Sequence, residues 1–392
     1  MSNLVNLPFG DGMLKFELPW PTTTLLPKDV PGISKEEIES VFKAPLGAER
    51  LSTLAKGKEK VVILVDDIYR PTPAHKLVPI ILKELKMAGV KEENVKIIIA
   101  IGAHRPHVGQ DLIKKFGREV LSSVEIFNHN PYQNLTYLGV SIRGTPIYIN
   151  KDIVEADLKI GVGCIIPHSI GFGGGGKIIF PGVAGIESIV RNHSLSERKK
   201  DIDEIALKVR VDFLVNVVVN TKLEIAGIFV GDMVAAHRKG ITFAKQIYVI
   251  DAKERTDIVI ANSYPADVDL IQATKVLNTG YSLLKEGGTL VLATPARDRI
   301  GYHALYQKGG RLPMIERATR RDTMKNRERK KQNLIIFSPN LTAKEVHQIF
   351  PSDAIVINST ENLVNRLENL HVGKHNKIIV TVLPFAPLIK LV

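Results

Sequence analysis

Lys60-Val-Val-Ile-Leu-Val-Asp-Asp67 is the stretch on which the fold turns. Its five apolar residues, four of them β-branched, run without the polar alternation of a strand that has one wet face. That pattern marks a strand buried on both faces, the habit of parallel sheets. A helix follows over 74–88, with Leu77, Ile80, Ile81 and Leu85 at helical spacing, and a second apolar strand follows over 95–101. In open α/β sheets ligands gather at the carboxyl ends of such strands. Here those ends carry Asp66-Asp-Ile-Tyr-Arg-Pro-Thr-Pro73 and Gly102-Ala-His-Arg-Pro-His107, so Asp67, Arg70 and His104 are expected on loops at one edge of one sheet.

Working outward, the segment before Thr53 is short and proline-punctuated. It reads as a strand over 13–18 and a helix opened by Ser34 as N-cap, with Glu36 and Glu37 in its first turn. Further strands are expected over 124–128 and 157–162, a hairpin over 211–220 and 223–230, and a helix over 232–248. A second strand–helix series then begins, with strands over 257–261, 288–293, 333–337, 354–357 and 377–382. The expectation is two α/β domains with mainly parallel sheets and the active site in the cleft between them. Residues 1–252 would form an N-terminal cofactor-binding domain and 253–382 a C-terminal domain, with 383–392 returning to the first.

Composition bounds the function. The chain has 392 residues, 44% hydrophobic and 24% charged, which suits a folded two-domain protein and excludes disorder as a class. No apolar run approaches the roughly 18 residues of a membrane span, and no basic-then-apolar leader opens the chain, so a cytoplasmic protein is expected. The single cysteine, Cys164, forbids an intrachain disulfide and rules out cysteine-rich zinc or iron–sulfur sites. Any metal must be held by histidine, carboxylates or a cofactor. The net charge of +12 is partly concentrated in 317–331. That run reads as a solvated helix face sooner than a nucleic-acid surface, because no recognition motif accompanies it.

The densest chemistry lies in Pro167-His-Ser-Ile-Gly-Phe-Gly-Gly-Gly-Gly-Lys177, continuing through Pro181-Gly-Val-Ala-Gly185 to Asn192-His193. Consecutive glycines allow close backbone approach to a ligand and can aim N–H groups at an anion. Gly171 to Lys177 even matches Gly-x-x-x-x-Gly-Lys, but Ile178 stands where a P-loop needs Ser or Thr for magnesium. A phosphate cradle remains, against the plainer reading of a flexible turn. Lys177 could serve as a point charge on phosphate or as a nucleophile that bonds a cofactor. His104, His168 and His193 fall at strand ends or loops and suit general base or metal-ligand work. His107 and His129 are secondary candidates, while His75, His237, His303, His347, His371 and His375 read as surface or structural. Asp67 and Arg70 could hold a ribose, phosphate or carboxylate, or simply pair to close their loop. Gln272 and Lys275, three apart on an expected helix, could address one ligand.

Taken in order, Asp-Asp-Ile-Tyr-Arg-Pro-Thr-Pro, Gly-Ala-His-Arg, Pro-His…Gly-Gly-Lys…Asn-His and Gln-x-x-Lys resemble the lactate racemase family of nickel-pincer enzymes. The resemblance covers most of the chain. It implies a nickel-pincer nucleotide, a nickel-bearing pyridinium-dithio mononucleotide bonded to Lys177, with His193 as the protein's nickel ligand. Asp67, Ile68, Tyr69 and Arg70 would hold the nucleotide, Arg70 also lying near substrate, and Gln272 and Lys275 would bind the substrate carboxylate. His104 and His168 would be the two acid/base groups. The implied reaction passes hydride from C2 of a 2-hydroxy acid to the pyridinium ring and back to the opposite face, an isomerase reaction for which two bases are suited. Cofactor-maturation enzymes would be partners. Ile271 stands where the resemblance leads one to expect an aromatic residue, which leaves the particular 2-hydroxy acid open. The alternatives are a nucleotide-binding or regulatory protein without catalysis, and a nucleic-acid binder using 317–331.

Overall fold

The structure, a computed structural model, describes residues 2–252, 254–305, 325–372 and 378–392. It divides into two compact units: residues 1–28, 248–302 and 316–392 form one, and residues 29–247 with 303–315 form the other.

In the 29–247 unit the sheet order is Ile225–Gly231, Phe213–Val219, Leu158–Cys164, Val61–Asp66, Val95–Ala100, Glu125–Asn128. All neighbours are parallel except the first pair, the expected hairpin. Val61 to Val65 are all buried, which is why the strand shows no polar alternation. The crossover helix Ala74–Met87 turns Leu77, Ile81 and Leu85 onto the sheet, each at most 1% exposed. From Val61–Asp66 the chain adds strands outward on one side, then returns to lay Leu158–Cys164 against the other side of the same strand. That reversal puts the switch point of the strand order at the carboxyl ends of Val61–Asp66 and Leu158–Cys164, the position where open sheets bind ligands. Asp67 and the glycine segment both issue from it.

The other unit carries a seven-stranded sheet ordered Ser2–Phe9, Gly12–Thr24, Val380–Leu383, Thr256–Asn262, Leu284–Ala293, Asn333–Phe337, Ile355–Ile357. Its strands are parallel apart from the antiparallel edge Ser2–Phe9. Alternate residues sort onto two faces: Ile258 and Ile260 pack with Val291, Ile335 and Val380, while Val259 and Ala261 pack with Leu290, Leu334 and Leu277. Both faces are therefore covered.

Three boundaries differ from expectation. Residues 1–28 belong with the C-terminal unit, because Thr22 to Thr24 pair with Val380 to Val382 and Phe16, Leu18 and Trp20 complete that unit's core. Residues 383–392 stay in that unit as well, with Lys390–Leu391 pairing with Val249–Ile250. The chain changes unit at Tyr248 and not at 253. Ser34 caps Lys35–Val41 as expected, with Glu37 closing a reciprocal capping box. No helix among the described residues is long and apolar enough to cross a membrane. Residues 317–324 of the basic run, and His375, lie outside the described residues.

Candidate active site

The loop after Val61–Asp66 is built around two adjacent carboxylates with separate partners. Asp66 accepts from Lys115 Nζ at 2.7 Å, Thr72 Oγ1 at 2.5 Å and the Cys164 N–H at 3.1 Å. Burial pushes its carboxyl above the ordinary carboxylate range, against the pull of Lys115. Asp67, 4% exposed, accepts the Tyr69 N–H on Oδ1 at 3.1 Å and bonds His104 Nδ1 through Oδ2. Burial alone would raise Asp67, but His104, Arg70 and His107 hold it well below its usual value. Lys115, 5% exposed, also donates to the backbone oxygens of Asp67 (2.9 Å) and Arg70 (3.2 Å), tying the loop from behind.

His104 is clamped by more than Asp67. Tyr69 meets its ring edge-on with centroids 4.7 Å apart, and His303 does so at 4.9 Å. His303 reaches this place through a bridge to His104 and an Ala304 N–H to Ala103 O bond, so of the surface and structural roles expected from the sequence it takes the structural one. His107 is buried and its Nε2 accepts the Ile68 N–H at 2.9 Å, while burial draws its ring down to about 4.

The glycine run serves packing. A side chain at Gly175 (φ +56°) would strike His237 at 2.3 Å, one at Gly176 would strike Ala206 at 2.5 Å, and one at Gly174 would lie 2.8 Å from Asn216 Oδ1. The Gly175 N–H goes to Asn216 Oδ1 and the Gly173 N–H to Ile166 O, while His237 Nε2 bonds Gly173 O. These two N–H groups are committed inside the protein and are not offered to an anion, so they add nothing to the expected phosphate cradle. The glycines let the chain turn tightly over the sheet and deliver Lys177, on the short 3-10 turn Gly175–Ile178.

Lys177 is partly buried, and its side-chain amine makes no hydrogen bond or ion pair with the described residues. Burial, with Arg70 and Arg198 nearby, draws its amine down to about 7. His193, the last residue of the helix Ile186–His193, donates Nδ1–H to Ile189 O at 2.7 Å. Burial draws it down to about 4, and Arg198, Lys177 and His104 add to the effect, so the ring is neutral with its lone pair on Nε2. His168 sits in a small hairpin, Pro167–His168 against Gly171–Phe172, where Nδ1 accepts the Ile170 N–H at 3.3 Å. Arg198 donates to the adjacent Ser169 Oγ at 2.9 Å. Arg70, whose charge reaches both Asp67 and Lys177, links the two halves of this cluster.

Asp67, Ile68, Tyr69, Arg70, His104, His168, Lys177 and His193 thus all lie in the 29–247 unit, at the carboxyl edge of its sheet. Gln272 and Lys275 lie in the other unit, where the helix Leu270–Ala273, capped by Asp269, tightens into the 3-10 turn Thr274–Val276. Gln272 is buried and Lys275 exposed. His129 bonds Ala184 O and Asn150, His347 bonds Ala354 O, and His371 bonds Thr289, all structural roles. Arg327 of the basic run is 4% exposed and forks onto Asp353, so that position is no solvated face. Lys115, Arg198 and His303 carried no recognisable motif. Among the described residues no trio of His, Cys, Asp or Glu is arranged to hold a metal.

A family profile described as the lactate racemase N-terminal domain matches residues 9–203. Lactate racemase of Thermoanaerobacterium thermosaccharolyticum is 31% identical over 328 residues, 77% of each chain. Lactate racemase of Lactiplantibacillus plantarum is 33% identical over 292 residues, 69% of this chain and 68% of its own. The solved lactate racemase apoprotein of T. thermosaccharolyticum superposes with a TM-score of 0.79 at 27% identity, covering 99% of this chain and all of its own. A Thermotoga maritima structure shares the fold, at a TM-score of 0.68 and 16% identity over 94% of this chain and all of its own. With this similarity over two thirds and more of both named relatives, the chain belongs to the lactate racemase family, whose named members are isomerases.

Proposed function

We propose that the chain is a racemase or epimerase of a 2-hydroxy acid that works with a nickel-pincer nucleotide. The observation that carries this reading is Lys177: a partly buried amine without a hydrogen-bond or ion-pair partner, drawn down to about 7, beside a neutral His193. The donor set fits the cofactor. An amine half deprotonated near neutral pH can form a covalent bond. A histidine whose Nδ1–H is committed to a backbone carbonyl offers Nε2 to a metal, with the second-shell bond that usually orients such ligands. One histidine is too few to hold nickel alone, as the absence of a three-residue donor group among the described residues underlines, so the metal's other ligands would come with the nucleotide.

In this reading Lys177 anchors the nucleotide, His193 ligates its nickel, and the loop from Asp67 to Arg70 holds its body. When bound, the group supplies an acceptor that takes a hydride from substrate C2 and returns it. His104 receives the substrate's hydroxyl proton at Nε2, and His168 does the corresponding work for the opposite hand. Arg70 sits close enough to both halves of the cluster to steady a negatively charged substrate. Gln272 and Lys275 are assigned to the carboxylate on the family resemblance alone.

The test is chiral chromatography of single-enantiomer 2-hydroxy acids, spanning lactate, longer chains, malate and sugar acids, after incubation with protein matured by the cofactor-building enzymes. At least one should be carried toward an enantiomer or epimer mixture. His104→Ala and His168→Ala should each abolish this while intact mass still shows the adduct, and Lys177→Ala should lose the adduct. No turnover across the panel by nickel-loaded protein would defeat the assignment.

A further inference from the structure

We infer that Asp67 is a positioning residue for His104: its carboxylate locks the imidazole as the Nδ1–H tautomer, leaving the Nε2 lone pair as the base. The inference rests on the reading of His104 as an acid/base group. It gives the Asp67 side chain a task other than gripping the nucleotide.

Three observations carry it. Asp67 Oδ2 bonds His104 Nδ1, and an ionised carboxylate only accepts, so Nδ1 must carry the hydrogen. The carboxylate is not free to swing toward a ligand, because Oδ1 takes the Tyr69 N–H at 3.1 Å and the residue is 4% exposed. The ring in turn is held edge-on by Tyr69 at 4.7 Å and His303 at 4.9 Å, so its plane is set as well as its tautomer. Chemically, the hydroxyl O–H bond breaks and an Nε2–H bond forms. The resulting imidazolium finds its counter-charge already in place at Asp67, the arrangement that orients histidine bases in hydrolase triads. The neighbouring carboxylate cannot substitute, since Asp66 is bonded to Lys115, Thr72 and the Cys164 N–H.

The experiment has two arms. Nitrogen NMR of 15N-histidine-labelled full-length protein without cofactor, with His104 assigned through His104→Gln, reads the tautomer directly and needs no turnover. Wild type should show Nδ1 protonated and Nε2 bare near pH 8, whereas the reverse pattern overturns the inference even if the protein racemises its substrate. In the second arm, matured Asp67→Asn should keep the Lys177 adduct by intact mass and lose turnover by about 10³-fold or more, the scale of a wrong-tautomer histidine. Loss of the adduct, or turnover within about tenfold of wild type, would instead make Asp67 a nucleotide contact or a bystander. If the parent turns over nothing, the reading of the reaction falls, and the NMR arm still decides the Asp67–His104 relation.

Discussion

Replacing Lys115 by Met should be among the most damaging single changes behind the site, although Lys115 is assigned no contact with ligand. Its ammonium makes three bonds, to Asp66 Oδ1, Asp67 O and Arg70 O, while 5% exposed. Methionine fills the volume but leaves the largely buried Asp66 carboxylate without its cation, a loss of about 3–5 kcal/mol. At about 2–4 °C per kcal/mol for a domain of this size, melting should fall by about 6–20 °C. The pH dependence follows from the sign of the Asp66 shift. A carboxyl raised by burial favours its neutral form in the fold, so its stability contribution is present at acid pH and lost as pH rises through the folded value. Without Lys115 that loss grows, so the gap to wild type should be widest at pH 7–8 and narrow toward acid. Adding Asp66→Asn should recover at least about 1.5 kcal/mol, because the two changes act on one pair. Denaturant unfolding of the four proteins at two pH values measures all of this. A loss under about 1 kcal/mol, or strict additivity with Asp66→Asn, would refute the reasoning.

Burial draws His107, His129 and His193 each down to about 4, so an unfolded chain binds up to three more protons than the fold as pH drops below 6.5. Stability from these depressed groups is present above pH 6.5 and lost toward pH 4, with a slope of up to about 4 kcal/mol per pH unit; a flat denaturation midpoint from pH 7 to 5 would contradict this. Lys177, drawn down to about 7, should be acetylated by trace acetic anhydride at pH 7 ahead of the solvent-exposed lysines, read by peptide mass spectrometry. Equal or slower labelling would mean that its amine is not the poised nucleophile described.

Much of the fold was legible because burial on both faces leaves an unmistakable apolar run. Val61 to Val65, the strand Asn333–Phe337 and the hairpin Phe213–Val219 with Ile225–Gly231 all lie where their β-branched runs place them. The N-terminal strand was legible as a strand but not as a member of the distant sheet. Alternation of Phe16, Leu18 and Trp20 shows that one face is buried without saying against what. The order of motifs singled out Asp67, His104, His168, Lys177 and His193, which the fold gathers in one unit, but two physical roles were hidden. Four glycines look the same whether they cradle an anion or admit His237, Ala206 and Asn216. Lys115 and His303 act through contacts far apart in sequence, and nothing adjacent to either marks it.

The central claim, hydride carried away from C2 and returned to its other face, is tested most directly with a substrate enantiomer deuterated at C2. Matured protein would be incubated with it in ordinary water, and the deuterium content of the opposite enantiomer measured by mass spectrometry after chiral separation. The product should keep its deuterium, since in the proposed reaction His104 and His168 exchange only the hydroxyl proton. Product of inverted configuration carrying solvent hydrogen at C2 would contradict it.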